Sequence, residues 1–271
     1  MKTLEIQNEV RTAVREHYGK VATRPGCGCA PTCCSPDAGG DQRSTEIVAQ
    51  ALGYSAEQTS AIPEGANLGL GCGNPLAMAS LKAGQTVLDL GSGAGFDAFL
   101  AAQAVGQNGK VIGVDMTPEM IAKARRNQAG GDYANVEFRL GEIENLPVAD
   151  ASVDVIISNC VINLSPDKAA VFREACRVLK PGGRLAISDI VALRVIPGEV
   201  EQDMAAYSGC VGGAALVSDL EQLLAEAGFT GIRIAPKPES SAFIQECFPD
   251  RNMEDYAASA TIEAVKSRAQ Q

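Results

Sequence analysis

Nine cysteines and one histidine stand among the 271 residues of the chain. That inventory points away from imidazole catalysis and toward thiol chemistry. Thiolates bind soft ions and pass electrons through disulfides. Without an export signal the expected compartment is reducing, where thiols serve those purposes more often than permanent cross-links. Four of them, Cys27, Cys29, Cys33 and Cys34, crowd into residues 25–36, whose prolines and glycines forbid regular structure and leave a chemically active arm. Cys-Gly-Cys and the adjacent Cys33-Cys34 do not match the paired Cys-x-x-Cys spacing of a structural zinc site. Cys72 and Cys210 sit in glycine-rich strings, Leu70-Gly71-Cys72-Gly73-Asn74-Pro75 and Ser208-Gly209-Cys210-Val211-Gly212-Gly213. Cys160 follows an apolar run in Ser158-Asn159-Cys160-Val161-Ile162-Asn163. Cys176 and Cys247 read as packing residues of a helix and a strand, and His17 as a helix-surface or packing residue.

The elements that must position these thiols follow from periodicity. Leu4, Ile6, Val10 and Val14 predict an amphipathic first helix that stops near Gly19, and Ser44 caps a second helix over 44–52 with Ile47, Val48 and Leu52 on one side. From Thr86 onward short apolar runs alternate with amphipathic helices, the pattern of parallel βαβ units. Strands are expected at 86–90, 110–114, 136–140, 153–158 and 184–189. Helices fall at 97–105, 118–128 and 167–179, the last ended by Pro181-Gly182-Gly183. Runs this apolar need helices on both faces, so an α/β three-layer sandwich with a mostly parallel sheet follows. Helices at 199–207 and 218–226 then precede possible last strands at 231–235 and 242–248. The expected division is an N-terminal helical and Cys-rich segment (1–75), a core (76–195) and a small C-terminal α+β region on the substrate side (196–271).

The first strand runs into Asp89-Leu90-Gly91-Ser92-Gly93-Ala94-Gly95-Phe96-Asp97, a glycine turn ahead of a helix that lets backbone approach a ligand. Its GxGxG spacing differs from the GxGxxG of dinucleotide sites. About twenty residues on, Asp115 ends the second strand, where an acid commonly accepts hydrogen bonds from ribose hydroxyls. In order and position, VLDLGSGAGFD, VIGVDMTPEM, LGEIENLP and VLKPGGRLAISD resemble the Rossmann-like class I S-adenosylmethionine (SAM)-dependent methyltransferases over 86–189. The resemblance implies SAM as cofactor, bound beside Asp89, with Gly91, Gly93 and Gly95 lining its methionine part. It places Asp115 on the ribose, Met116, Glu142 and Ile143 around the adenine, and Asn159 beside the sulfonium.

A narrower resemblance rests on the settings of Cys72, Cys160 and Cys210 with the strings LGCGNP and NCVIN, which look like the arsenite methyltransferase family from near Tyr18 to the C-terminus. It implies that these three thiolates hold trivalent arsenic. Arsenic(III) is soft and prefers sulfur. Three thiolates replace the hydroxyls of arsenite and leave the arsenic lone pair free to attack a methyl group in line, so no general base is required. The reaction leaves arsenic formally pentavalent, and a cysteine pair can return two electrons. The family supplies a thiol in the N-terminal arm; Cys34 or its neighbour Cys33 is expected to cycle with Cys72, reset by thioredoxin or glutathione.

Composition narrows the alternatives. Lys and Arg number 23 against 33 Asp and Glu, a net charge of −10 that repels nucleic acid. No apolar run is long enough to cross a bilayer. Charges throughout the first twenty residues exclude a secretory centre there, so a cytoplasmic protein is expected, and nothing demands more than a monomer. Two rivals stand beside arsenic methylation: a C- or O-methyltransferase of a small molecule, which would need a base such as Asp189, and a soft-metal-binding protein without catalysis.

Overall fold

The computed structural model describes residues 2–23, 42–201, 203–247 and 251–268. Cys27, Cys29, Cys33 and Cys34 lie outside the described residues. Seven strands, β1 (Thr86–Leu90), β2 (Lys110–Asp115), β3 (Val136–Leu140), β4 (Val153–Asn159), β5 (Leu179–Ala192), β6 (Phe229–Pro236) and β7 (Ala257–Lys266), form one sheet in the order β3-β2-β1-β4-β5-β7-β6. The first five are parallel, and β7 runs antiparallel to both β5 and β6. Strand order reverses between β1 and β4, which opens a crevice at their carboxyl ends. Leu90 pairs with Ser158, so Gly91 and Asn159 come side by side where β1 and β4 end.

The helices are α1 (Lys2–Thr23), α2 (Gln42–Ala51), α3 (Ala56–Ser60), α4 (Leu76–Ala79), α5 (Phe96–Val105), α6 (Pro118–Ala129), α7 (Lys168–Val178), α8 (Gly198–Glu201), α9 (Met204–Ser208), α10 (Val217–Glu226) and α11 (Ser241–Cys247). Strand alternation divides the apolar side chains between two faces. Leu88, Leu90, Ile156 and Ile187 pack under α7 and α10 with Phe172 and Leu220. Val87, Val155 and Ile157 pack under α5 and α6 with Phe99 and Ile121.

Several expectations are corrected. Residues 242–247 are helical rather than a strand: Ile244 is buried on α11 while Ser241 and Ala242 face solvent. The last strand is instead β7, whose alternating Ala258, Ala260, Ile262 and Ala264 are buried. Its alanines carry little strand propensity, which hid it in the sequence. Helix α1 continues through Gly19 to Thr23, and a Cβ on Gly19 would come within 3.2 Å of Glu119, so glycine permits a close approach to α6. Val14 and Ala22 of α1 are buried, but Leu4 and Ile6 are 64 % and 59 % exposed. On α2 the buried positions are Thr45 and Ala49, and Ile47 faces solvent. The single helix expected over 199–207 is two short ones, and α7 stops at Val178, before Pro181, because the chain enters β5 at Leu179.

Candidate active site

The glycine turn after β1 holds Gly91, Gly93 and Gly95 at φ of +67°, +52° and +100°. A side chain at Gly91 would run into Val161, and one at Gly95 into Phe99 and Phe138. Gly91 and Gly93 border two adjoining cavities, which also share Leu70 and Asn159. Gly95 lines neither and instead starts α5.

The smaller cavity reaches Asp89 and Asp97. Burial, reinforced by Asp97 and Asp115, pushes the Asp89 carboxyl well above its ordinary range, and its Oδ2 has no hydrogen-bond donor among the described residues. Burial raises Asp97 to about 6, although Tyr54 Oη donates to Oδ1 (2.7 Å) and Asn159 Nδ2 to Oδ2 (3.3 Å). An acid-walled, glycine-floored cleft with an orphaned carboxylate oxygen fits a small cationic group such as a sulfonium or α-ammonium. The larger cavity is bordered by Asp115, Met116 and Ile143. Asp115 accepts from the Gly93 N–H (3.0 Å) and the Thr117 N–H (2.8 Å), while burial raises its pKa. Glu142 is not on that wall; it pairs with Arg15 (3.0 Å) and Arg11 (3.7 Å) of α1, and Glu144 lines the cavity instead. Arg11, Val14 and Tyr18 make α1 the cover of this cavity, a role that its sequence did not suggest.

Cys72, Cys160 and Cys210 converge beside the same cleft. The Sγ atoms of Cys72 and Cys160 and a carboxylate oxygen of Asp189 lie within 4.8 Å of one another, and Cys210 Sγ donates to the Cys160 carbonyl at 3.0 Å. Each thiol has its own brace. Cys160 turns out of β4 with φ +59°, its N–H on the Ser188 carbonyl. Cys210, at φ +67°, is held through its carbonyl by Asn163 Nδ2 (3.1 Å), which also donates to the Ile190 carbonyl. Cys72 N–H donates to Asn159 Oδ1 (3.0 Å), and Asn159 Nδ2 donates to the Gly73 carbonyl (2.8 Å) and to Tyr54 Oη (3.0 Å). The neighbouring Cys210 and Cys72 thiols, then burial, push the Cys160 thiol well above its usual value, and burial raises Cys72.

Asp189 is fixed by the Ile162 and Ile190 N–H groups (2.8 Å each), and burial lifts it to about 6. With both oxygens on backbone it shapes the Cys160 turn. Cys176 is half-buried on α7 against the main core, away from these thiols. Reading the sequence missed Tyr54 and Ser259, ordinary polar residues whose partners are far along the chain and which no local motif marks, and it did not assign a role to Asn163 although Asn163 ends the NCVIN string.

The model of a methyltransferase domain matches residues 81–228. Sheet order, glycine turn and acidic cleft define a class I SAM-dependent methyltransferase. An arsenite methyltransferase of Halobacterium salinarum is 55 % identical over 95 % of this chain and 67 % of its own length. The human arsenite methyltransferase is 40 % identical over 55 % of this chain and 42 % of its own. Among solved structures, an arsenic(III) SAM methyltransferase from Chlamydomonas reinhardtii aligns with TM-score 0.63 and 34 % identity, over 83 % of this chain and 74 % of that one. The chain belongs to the arsenite methyltransferase family. It spans two thirds of the Halobacterium relative and under half of the human one.

Proposed function

We propose that the protein methylates trivalent arsenic bound by Cys72, Cys160 and Cys210. The observation that carries this reading is the meeting of three thiols from separate stretches of chain beside the acid-lined cleft. Arsenous acid exchanges its three hydroxyls for three thiols and releases three waters, so neutral thiols suffice and no net proton moves. The bound cofactor would supply an electrophilic methyl group on its sulfonium. The arsenic held by Cys72, Cys160 and Cys210 would take that methyl group on its lone pair, with the S–C bond broken and a neutral thioether left as the other product. Asp89 and Asp97 would offset positive charge in the cleft, Asp115 would hold the ribose, and Met116 and Ile143 would flank the adenine. Val14, Leu164 and Ile190 are apolar walls of the cavity that Cys160 and Cys210 line, and they would limit the water that reaches the reacting atoms.

Methyl transfer leaves arsenic two electrons short of the trivalent state. Cys72 and one thiol of the arm, Cys33 or Cys34, would return them by closing a disulfide, which thioredoxin or glutathione then reopens in a reducing cytoplasm. No described helix is long and apolar enough to cross a membrane.

The test is incubation of the protein with SAM, thiol reductant and arsenite, followed by arsenic speciation; methylated arsenic is expected, and none would overturn the proposal. Monomethylated arsenic has two exchangeable positions and needs two thiols. In a single turnover, where methyl transfer is read before any disulfide is needed, Cys72→Ser is therefore expected to abolish methylation of arsenite while sparing the monomethyl substrate, and equal loss on both would refute the ligand assignment.

A further inference from the structure

Cys72 is held from two directions. Asn159, at the end of β4, takes its N–H. On the other side Ser259 of β7 donates its hydroxyl to the Cys72 carbonyl at 2.5 Å, in a buried position. Ser259 is itself immobilised: its N–H donates to Ser240 Oγ (2.9 Å), and its carbonyl accepts from the Lys237 N–H (2.7 Å). It is 2 % exposed and pairs with Ile190 of β5. All its polar groups are thus committed, and its hydroxyl is a fixed peg. Cys160 and Cys210 are braced by other residues, Ser188 and Asn163. The hydroxyl of the C-terminal strand is thus spent on the backbone of Cys72.

We propose that Ser259 is a specificity-determining positioning residue, which fixes the one thiol that arsenite requires as a ligand and monomethylated arsenic does not. This rests on the three-thiol reading above. A ligand sulfur is useful only where its bond vector meets the arsenic already held by the other two, and the loop around Cys72, with Gly71 at φ +124°, has little stiffness of its own. Removing the peg leaves a buried carbonyl without its donor and lets the Cys72 backbone relax, whereas the Cys160–Cys210 pair keeps its geometry.

The experiment compares single-turnover rates of methyl transfer to arsenite and to monomethylarsenous acid, with saturating SAM, for the full chain, Ser259→Ala and Ser259→Thr. Ser259→Ala is expected to slow arsenite methylation about tenfold or more and to change the monomethyl rate by less than about twofold, while Ser259→Thr, which keeps the donor, restores the wild-type ratio. X-ray absorption on arsenite-loaded protein adds a readout independent of turnover: three sulfur neighbours in the wild type, and two sulfurs with one oxygen in Ser259→Ala. Should Ser259→Ala fail to fold, Ser259→Cys preserves the volume with a weaker donor and must shift the same ratio partway. Equal slowing on both substrates, or unchanged arsenite turnover, overturns the assignment. Cys72→Ser separates the two layers: if it does not discriminate between the substrates, the three-thiol reading falls; if it does and Ser259→Ala does not, only the role of Ser259 falls.

Discussion

Cys160 and Cys210 both adopt left-handed backbone, φ +59° and +67°, a conformation that costs a side-chain-bearing residue about 1–3 kcal/mol. Both are braced by hydrogen bonds from other elements, so the fold holds two thiols where free chain would not. The surroundings of Cys72 and Cys160 also set protonation. Cys72 and Cys160 are pushed above the ordinary thiol range, which keeps them neutral near pH 7. Exchange with neutral arsenous acid releases water and no net protons. A divalent soft ion must displace protons from thiols that hold them tightly, and its affinity rises with pH. Calorimetry is therefore expected to give an arsenite affinity that changes less than about threefold between about pH 6 and pH 8, against a steep rise for cadmium. Parallel slopes for the two would contradict the neutral-thiol exchange.

At the scale of elements, the β1–α5 turn brings backbone to the cleft because its glycines omit a Cβ. Gly91 meets Val161, and Gly106, with the same φ of +67°, faces open space at the end of α5. Alanine strains the backbone at both. Only at Gly91 does it also displace the wall of the cleft. Gly91→Ala is thus expected to weaken SAM binding about tenfold or more in equilibrium dialysis, while Gly106→Ala lowers stability and leaves SAM affinity unchanged. Loss of affinity in both variants would attribute the effect to general destabilisation. Helix α1 belongs to the same scale. It lays Arg11, Val14 and Tyr18 over the larger cavity, with Arg11 3.2 Å from Glu144.

The whole molecule is organised by one sheet, in which the antiparallel β7 ties the C-terminal region into the core and carries Ser259 to the thiols. Ile262 is buried at 1 % exposure between β5 and β6, and Val265 on the same strand is 39 % exposed. Ile262→Ala is expected to remove about 2–4 kcal/mol in urea unfolding, whereas Val265→Ala removes less than about 1 kcal/mol. Similar costs at the two positions would mean that β7 is not part of the main core.

Local order made the fold legible. Strands β1 to β4, helices α5 to α7, the glycine turn and Asp115 are each specified by residues within one element and its next neighbour, where period and turn chemistry act. The same holds for the glycine-rich settings of Cys72 and Cys210. β7 escaped because alanine pairs are weak strand formers, and α11 because its short apolar run suits either period. The sequence by itself determined the parallel βαβ core, its cofactor turn and the thiol chemistry available to it. Only the tertiary structure brings Cys72, Cys160 and Cys210 together beside the cleft, with Asn159, Asn163 and Ser259 holding their backbone. Those contacts join residues 47 to 187 positions apart, beyond the reach of any local pattern, and only closure of the sheet brings them together.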